Sequence, residues 1–166
     1  MKTAIPTEPT RANIAQILDL LAATPLKLES LIQGRTDKQL RQPLGPGERS
    51  CTEMLAHLIA SEDRSSEAIY LALLRDEPLF PAVHPERQWS RLLRYDLLEF
   101  SDLLGYFQVR RAILLRVLGS LREKQWERVI RDEGKQRRES VYWRARSMAL
   151  HELEHLTDLE NKFNLR

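Results

Sequence analysis

Apolar residues recur every three or four positions in four stretches of this chain, and the segments between them break that rhythm. Ile14, Ile17, Leu18, Leu21, Leu28 and Ile32 share one helical face, and Thr10 stands where an N-cap belongs. The pattern predicts a first helix from about residue 10 to 33. Pro25 interrupts it while the apolar phase continues, which predicts a kink; the alternative is two helices with Thr24 as a cap. Residues 1–9 carry two prolines and no periodicity, and read as a loose arm.

Residues 34–49 read as a connector. Thr36 with Gln39 makes a capping box for one short turn, and the Gln42–Glu48 stretch cannot be regular structure. Ser50 with Glu53 is a second capping box and opens a helix over about 50–75, with Cys51, Met54, Leu55, Leu58, Ile69, Ala72 and Leu73 on its apolar stripe. Residues 76–90 hold three prolines and Trp89 and predict a long loop. A third helix runs from about 91 or 95 to 119, its buried face carrying Leu97, Phe100, Leu103, Leu104, Phe107, Leu114, Leu115 and Leu118. Residues 120–139 are polar and are expected to return the chain to the His57 end. Ser140 caps a fourth helix, about 140–163, whose stripe includes Val141, Ala145, Met148, Ala149, Leu156, Leu159 and Phe163. No alternating run suggests a strand. The expectation is an all-α fold, a four-helix bundle with long crossover connections, in a single domain over 1–166.

Composition narrows the class. A net charge of +2 in 166 residues is no nucleic-acid signature without basic residues gathered on one face. Arg137, Arg138, Arg144 and Arg146 read more simply as a solvated face, so no nucleic acid is expected. No apolar run approaches the ~20 residues of a membrane span, and the N-terminus has no apolar signal region. The one cysteine, Cys51, excludes an internal disulfide. A cytoplasmic protein without membrane contact is expected.

Three charges fall where apolar residues belong. Glu62, Arg111 and Glu152 each sit mid-stripe on their helices. A lone buried charge is costly, so the three are expected to form one cluster, with the planar fork of Arg111 serving both carboxylates. Such a cluster fixes helix register, or orients a nearby histidine and handles protons.

Four histidines are present, and two of them, His151 and His155, are four apart on the predicted last helix. That spacing stacks them on one face, roughly 5–6 Å apart at Cβ, close enough to share an ion. His57 flanks the second helix's stripe in the same way, whereas His84 lies in a loop. Three imidazoles on two facing helices can hold one divalent metal and leave positions open on it. Neutral histidines favour Zn, Ni, Fe or Cu over Mg or Ca; Zn or Ni is expected first, with Fe or Mn behind. The run His151-Glu152-Leu153-Glu154-His155 also fits the HExxH protease pattern, but that layout takes its third ligand downstream, where no histidine follows.

Trp143 and Leu150 lie seven apart, off the core stripe, and suggest a homodimer surface; the alternative is a covering loop, such as the one holding Trp89.

The chain resembles the DinB/YfiT-like metal-binding superfamily over nearly its whole length. The resemblance rests on Glu53 through Leu58 with Glu62 following, the segment from Leu104 to Leu118 carrying Arg111, Trp126 with Arg128, and His151 through Leu156. It departs in having Arg49 where many relatives have Trp, and Glu152 where many have Asp. The resemblance implies a four-helix bundle whose metal is held by one histidine of the second helix and a pair on the last, here His57, His151 and His155. It also implies a metal-dependent enzyme of thiol S-transferase or hydrolase type, acting with a low-molecular-weight thiol or water, with Glu152 as base if Arg111 does not lock it. The competing expectation is a non-catalytic bundle acting through its surface.

Overall fold

The computed structural model describes residues 5–134, 136 and 138–164, and four of its helices begin at capping residues read from the sequence. Thr10 Oγ1 accepts from the Asn13 N–H and opens α1 (Arg11–Leu31). Reciprocal capping boxes open α2 (Asp37–Leu40) at Thr36 and α3 (Cys51–Leu74) at Ser50. Ser140 Oγ accepts from the Trp143 N–H at the start of α7 (Val141–Asn164). Each cap satisfies N–H groups that the first helical turn leaves without partners, and contributes about 1 kcal/mol. α1 passes through Pro25 without ending. Thr24 is no cap, because its hydroxyl donates back to the Leu20 carbonyl at 3.1 Å.

The third long helix starts later than its apolar pattern suggests. A single turn, α4 (Arg91–Leu93), is followed by Arg94 in the left-handed region at φ 48°, which ends helical continuity. α5 runs Phe100–Gly119, and Leu97, expected on its buried face, is 63% exposed. The cap of α5 comes from a distant element: the Phe100 N–H donates to Asp37 Oδ1 of α2 at 2.9 Å.

A small sheet corrects the strand-free expectation. β1 (Leu79–Phe80) pairs in parallel with β2 (Val129–Asp132), which pairs antiparallel with β3 (Arg138–Ser140). Strands of two to four residues are too short to show a period of two. The one-turn α6 (Glu123–Trp126) precedes the sheet. Arg144, expected on a solvated face, is buried beneath it and paired with Asp132 at 2.5 Å and Glu139 at 2.7 Å. Arg138 pairs with Glu77, and Arg137 lies outside the described residues. The arm is tied from Ile5 onward: Ile5 is buried, the Tyr142 hydroxyl donates to the Pro6 carbonyl, and Arg146 donates to the carbonyls of Ile5 and Pro6.

The core has two halves. One gathers Leu21, Ile69, Leu114 and Ala149 with Trp126, Ile130 and Val141; the other gathers Leu28, Ile59, Phe107 and Leu156 with Leu55 and Phe100. Following each helix from one half to the other gives its direction. α1 and α7 run one way, α3 and α5 the other. The chain therefore crosses the length of the bundle between α3 and α5. α6 and the strands Val129–Asp132 and Arg138–Ser140 stay at the Trp126 end, and α7 itself carries the chain back toward His57. Between the two core halves every long helix contributes one layer of residues: Thr24 and Pro25 from α1, Glu62 from α3, Arg111 from α5 and Glu152 from α7.

Candidate metal centre

His57 projects from the second turn of α3, and His151 and His155 from successive turns of α7, which packs against α3. Their three Nε2 atoms converge. His57 Nε2 lies 3.1 Å from that of His151 and 3.1 Å from that of His155, and the last two are 3.0 Å apart. The rings meet edge to face. All three are half-buried. Three ring nitrogens at mutual contact cannot all hydrogen-bond to one another, since a neutral imidazole has one donor and one acceptor.

Burial favours the neutral form of two of these rings. Burial pushes the His57 pKa from 6.5 down to about 3, helped by the neighbouring His151 and by the charge of Arg49. Burial likewise lowers His155, again with His151 and Arg49 contributing. A neutral imidazole presents the lone pair a metal needs. Three nitrogens bound tetrahedrally to one ion at about 2.0–2.1 Å would stand roughly 3.3 Å apart, close to the spacing seen. The donor set therefore fits a transition ion. His155 Nδ1 is buried without a hydrogen-bond partner among the described residues, so nothing on that side of the ring fixes its tautomer.

Directly behind the triad lies the charged layer. Arg111 reaches Glu152 through two bonds, Nη1 to Oε2 at 2.9 Å and Nη2 to Oε1 at 2.6 Å. Nη2 also donates to Glu62 Oε2 at 2.8 Å, and Nη1 to the Leu21 carbonyl at 2.5 Å. All three charged side chains are at most 2% exposed. The two carboxylates raise the Arg111 pKa further, against the effect of its burial. The Glu62 pKa also rises, here toward the neutral form: burial pushes it up to about 7, with the Glu152 charge adding to the rise and Arg111 opposing it. Its Oε1 has no hydrogen-bond partner among the described residues. One guanidinium thus engages both oxygens of Glu152 but only one of Glu62, whose burial favours its protonated form.

A cleft of about 220 Å³ opens beside His57, lined by Arg49, Glu53, Ala56, Ser90 and Asp96. Its far wall is the crossing segment, and Asp63 holds that wall in place. Asp63 Oδ2 accepts from the Tyr95 hydroxyl at 2.7 Å and from the Trp89 indole at 3.3 Å, while Oδ1 pairs with Arg110 at 2.5 Å. Arg41 adds two bonds to the carbonyls of Asp96 and Leu98. Trp89 is thereby committed to α3. Leu150 is half-buried against the core, and Trp143 is half-buried as well.

Sequence reasoning named His57, His151, His155, Glu62, Arg111 and Glu152, and the structure brings the three histidines together in one cluster and the three charges together in another. It missed Asp63, Tyr95, Trp89 and Arg110, which are far apart in sequence. The one available signal was an aspartate directly following a mid-stripe glutamate on the same helix.

A four-helix bundle with parallel α3 and α5, a long crossing between them and a triad of convergent histidines defines a narrow structural class. The chain matches the model of the DinB superfamily over residues 7–159, and it belongs to that superfamily. It is similar in structure to YfiT from Bacillus subtilis, with a TM-score of 0.83 and 19% sequence identity, over 98% of this chain and 94% of that one. YfiT is described as a probable metal-dependent hydrolase with an unusual four-helix bundle topology. At that identity the likeness establishes the fold. No curated protein matches the chain. Among the described residues, no helix is long and apolar enough to cross a membrane.

Proposed function

We propose that this protein binds one divalent transition metal through Nε2 of His57, His151 and His155, and uses it for hydrolysis or for transfer of a low-molecular-weight thiol. The observation that carries the reading is the convergence of three imidazoles, their Nε2 atoms 3.0–3.1 Å apart, beside an open cleft. A metal so held supplies Lewis acidity, lowering the pKa of a water or thiol to near neutrality. The description of YfiT as a metal-dependent hydrolase supports the hydrolytic form.

The remaining roles follow from the chain's own groups. Glu152 has both oxygens on Arg111 and is 1% exposed, so its task is to hold α7 in place rather than to move a proton. Arg49 brings a positive charge to the cleft, and Glu53 and Asp96 bring carboxylates, giving a substrate polar groups of both signs to meet. The wall carrying Ser90 and Asp96, pinned through Asp63, limits how far the cleft opens.

Elemental analysis of untagged protein tests the reading. About one transition metal per chain is expected, lost in both His57→Ala and His151→Ala. A chain that takes up neither Zn nor Ni would be a bundle acting through its surface.

A further inference from the structure

Pro25 stands in the charged layer, on the helix whose Leu21 carbonyl accepts from Arg111. In an unbroken α-helix that carbonyl would accept from the N–H of residue 25. Proline has no N–H, and its ring pushes the carbonyl four residues back away from the helix axis. Leu21 is fully buried, so water cannot serve the oxygen instead. Arg111 Nη1 fills the vacancy, and the same nitrogen donates to Glu152 Oε2. The guanidinium is thus fixed from α1, α3 and α7 at once. Glu152 follows His151 and precedes His155 by three, so whatever fixes Glu152 also fixes the rotation of both imidazoles about the α7 axis.

We infer that Pro25 is a positioning residue for the histidine triad: by withholding an N–H from the Leu21 carbonyl it reserves that oxygen for Arg111, which then sets Glu152 and the two α7 histidines against His57. The inference rests on the metal-binding reading above. It separates cleanly from a purely structural role. Proline is the poorest helix former at an interior position, so on propensity alone its replacement by alanine improves α1 and leaves the metal untouched. Positioning demands the opposite result at the triad.

The test uses the whole chain as wild type, Pro25→Ala and Pro25→Gly. Both variants restore the N–H while differing in helix propensity, so a shared effect comes from the N–H. Cobalt(II) affinity is read by competition and by the visible spectrum of the bound ion. Solvent exchange of the Arg111 guanidinium protons is followed by NMR in metal-free protein, and helix content by circular dichroism. The expected result is an about tenfold loss of cobalt affinity in both variants at unchanged helix content. Faster guanidinium exchange should accompany it, and Pro25→Ala should cause no further loss in an Arg111→Met background. Wild-type cobalt affinity in both variants overturns the inference. If the wild type takes up no cobalt, the metal reading falls by itself and the exchange rates decide: unchanged exchange in Pro25→Ala overturns the inference, and faster exchange upholds the reservation of the Leu21 carbonyl for Arg111.

Discussion

Arg111 and Glu152 face each other across the bundle in two hydrogen bonds of 2.6 and 2.9 Å, from helices that run in opposite directions. A paired geometry of this kind fixes angle as well as distance. The pair lies where the two halves of the apolar core meet, so it sets how α7 is placed against α5.

Removing the cation should be far more damaging than its size suggests. Arg111→Met leaves Glu62 and Glu152 buried with no counter-charge, and a loss of about 3–5 kcal/mol at pH 7.5 is expected in urea unfolding. The loss should shrink at pH 5, where Glu62 carries a proton. A variant as stable as the wild type at both pH values would mean that the cluster contributes nothing.

Glu62 gives a pH dependence of its own. Its pKa is about 7 in the folded protein against an ordinary value of 4.5. Between those values the folded state keeps a proton that the unfolded chain releases, so this contribution is fully present below 4.5 and is lost as pH rises through 7. Glu62→Gln is neutral throughout. It should gain on the wild type as pH rises, by an amount on the order of 3 kcal/mol above pH 8, and show little difference at pH 4. Parallel stability curves for the two proteins would contradict this.

His57 acts with the opposite sign. Its folded pKa of about 3 lies below the ordinary 6.5, so on acidification the unfolded chain binds a proton that the folded protein refuses. The metal-free protein should therefore lose stability as pH falls from 6.5 toward 3. In His57→Gln this part of the loss disappears, which a comparison of urea midpoints at pH 7 and pH 5 would reveal.

Asp37 ties a connector to the start of α5. Its carboxylate accepts from the Phe100 N–H and from Arg41, and both interactions hold its pKa below the usual value. Its contribution is present above the ordinary pKa of 3.8 and is lost as pH falls through the lower folded value. Asp37→Ala should cost about 1 kcal/mol, the worth of a helix cap, and amide exchange should quicken first at the N-terminus of α5.

The histidines, the mid-stripe charges and the caps were legible because each depends on spacing within one helix. Ser50 with Glu53, or His151 with His155, meet through residues three or four apart, and the helical period alone brings them together. The late start of α5 was hidden. Its apolar pattern runs on through Leu97, while the break is made by the left-handed Arg94 and the cap is lent by Asp37, sixty-three residues away. The sheet was hidden as well, because β1 pairs with a strand 52 residues further on and the β2–β3 strands are too short to show a period of two.

By itself, then, the amino-acid order determined that four amphipathic helices form, where three of them begin, and which charged and imidazole side chains they must accommodate near the core. Those are consequences of local geometry and of the cost of leaving apolar surface in water. Only the tertiary structure decided that the crossing runs between α3 and α5, that Asp63 pins the cleft wall, and that Arg111 is held by an oxygen which Pro25 leaves bare. Each of these joins atoms whose proximity is set by packing, and the period of a single helix carries no record of what packs against it.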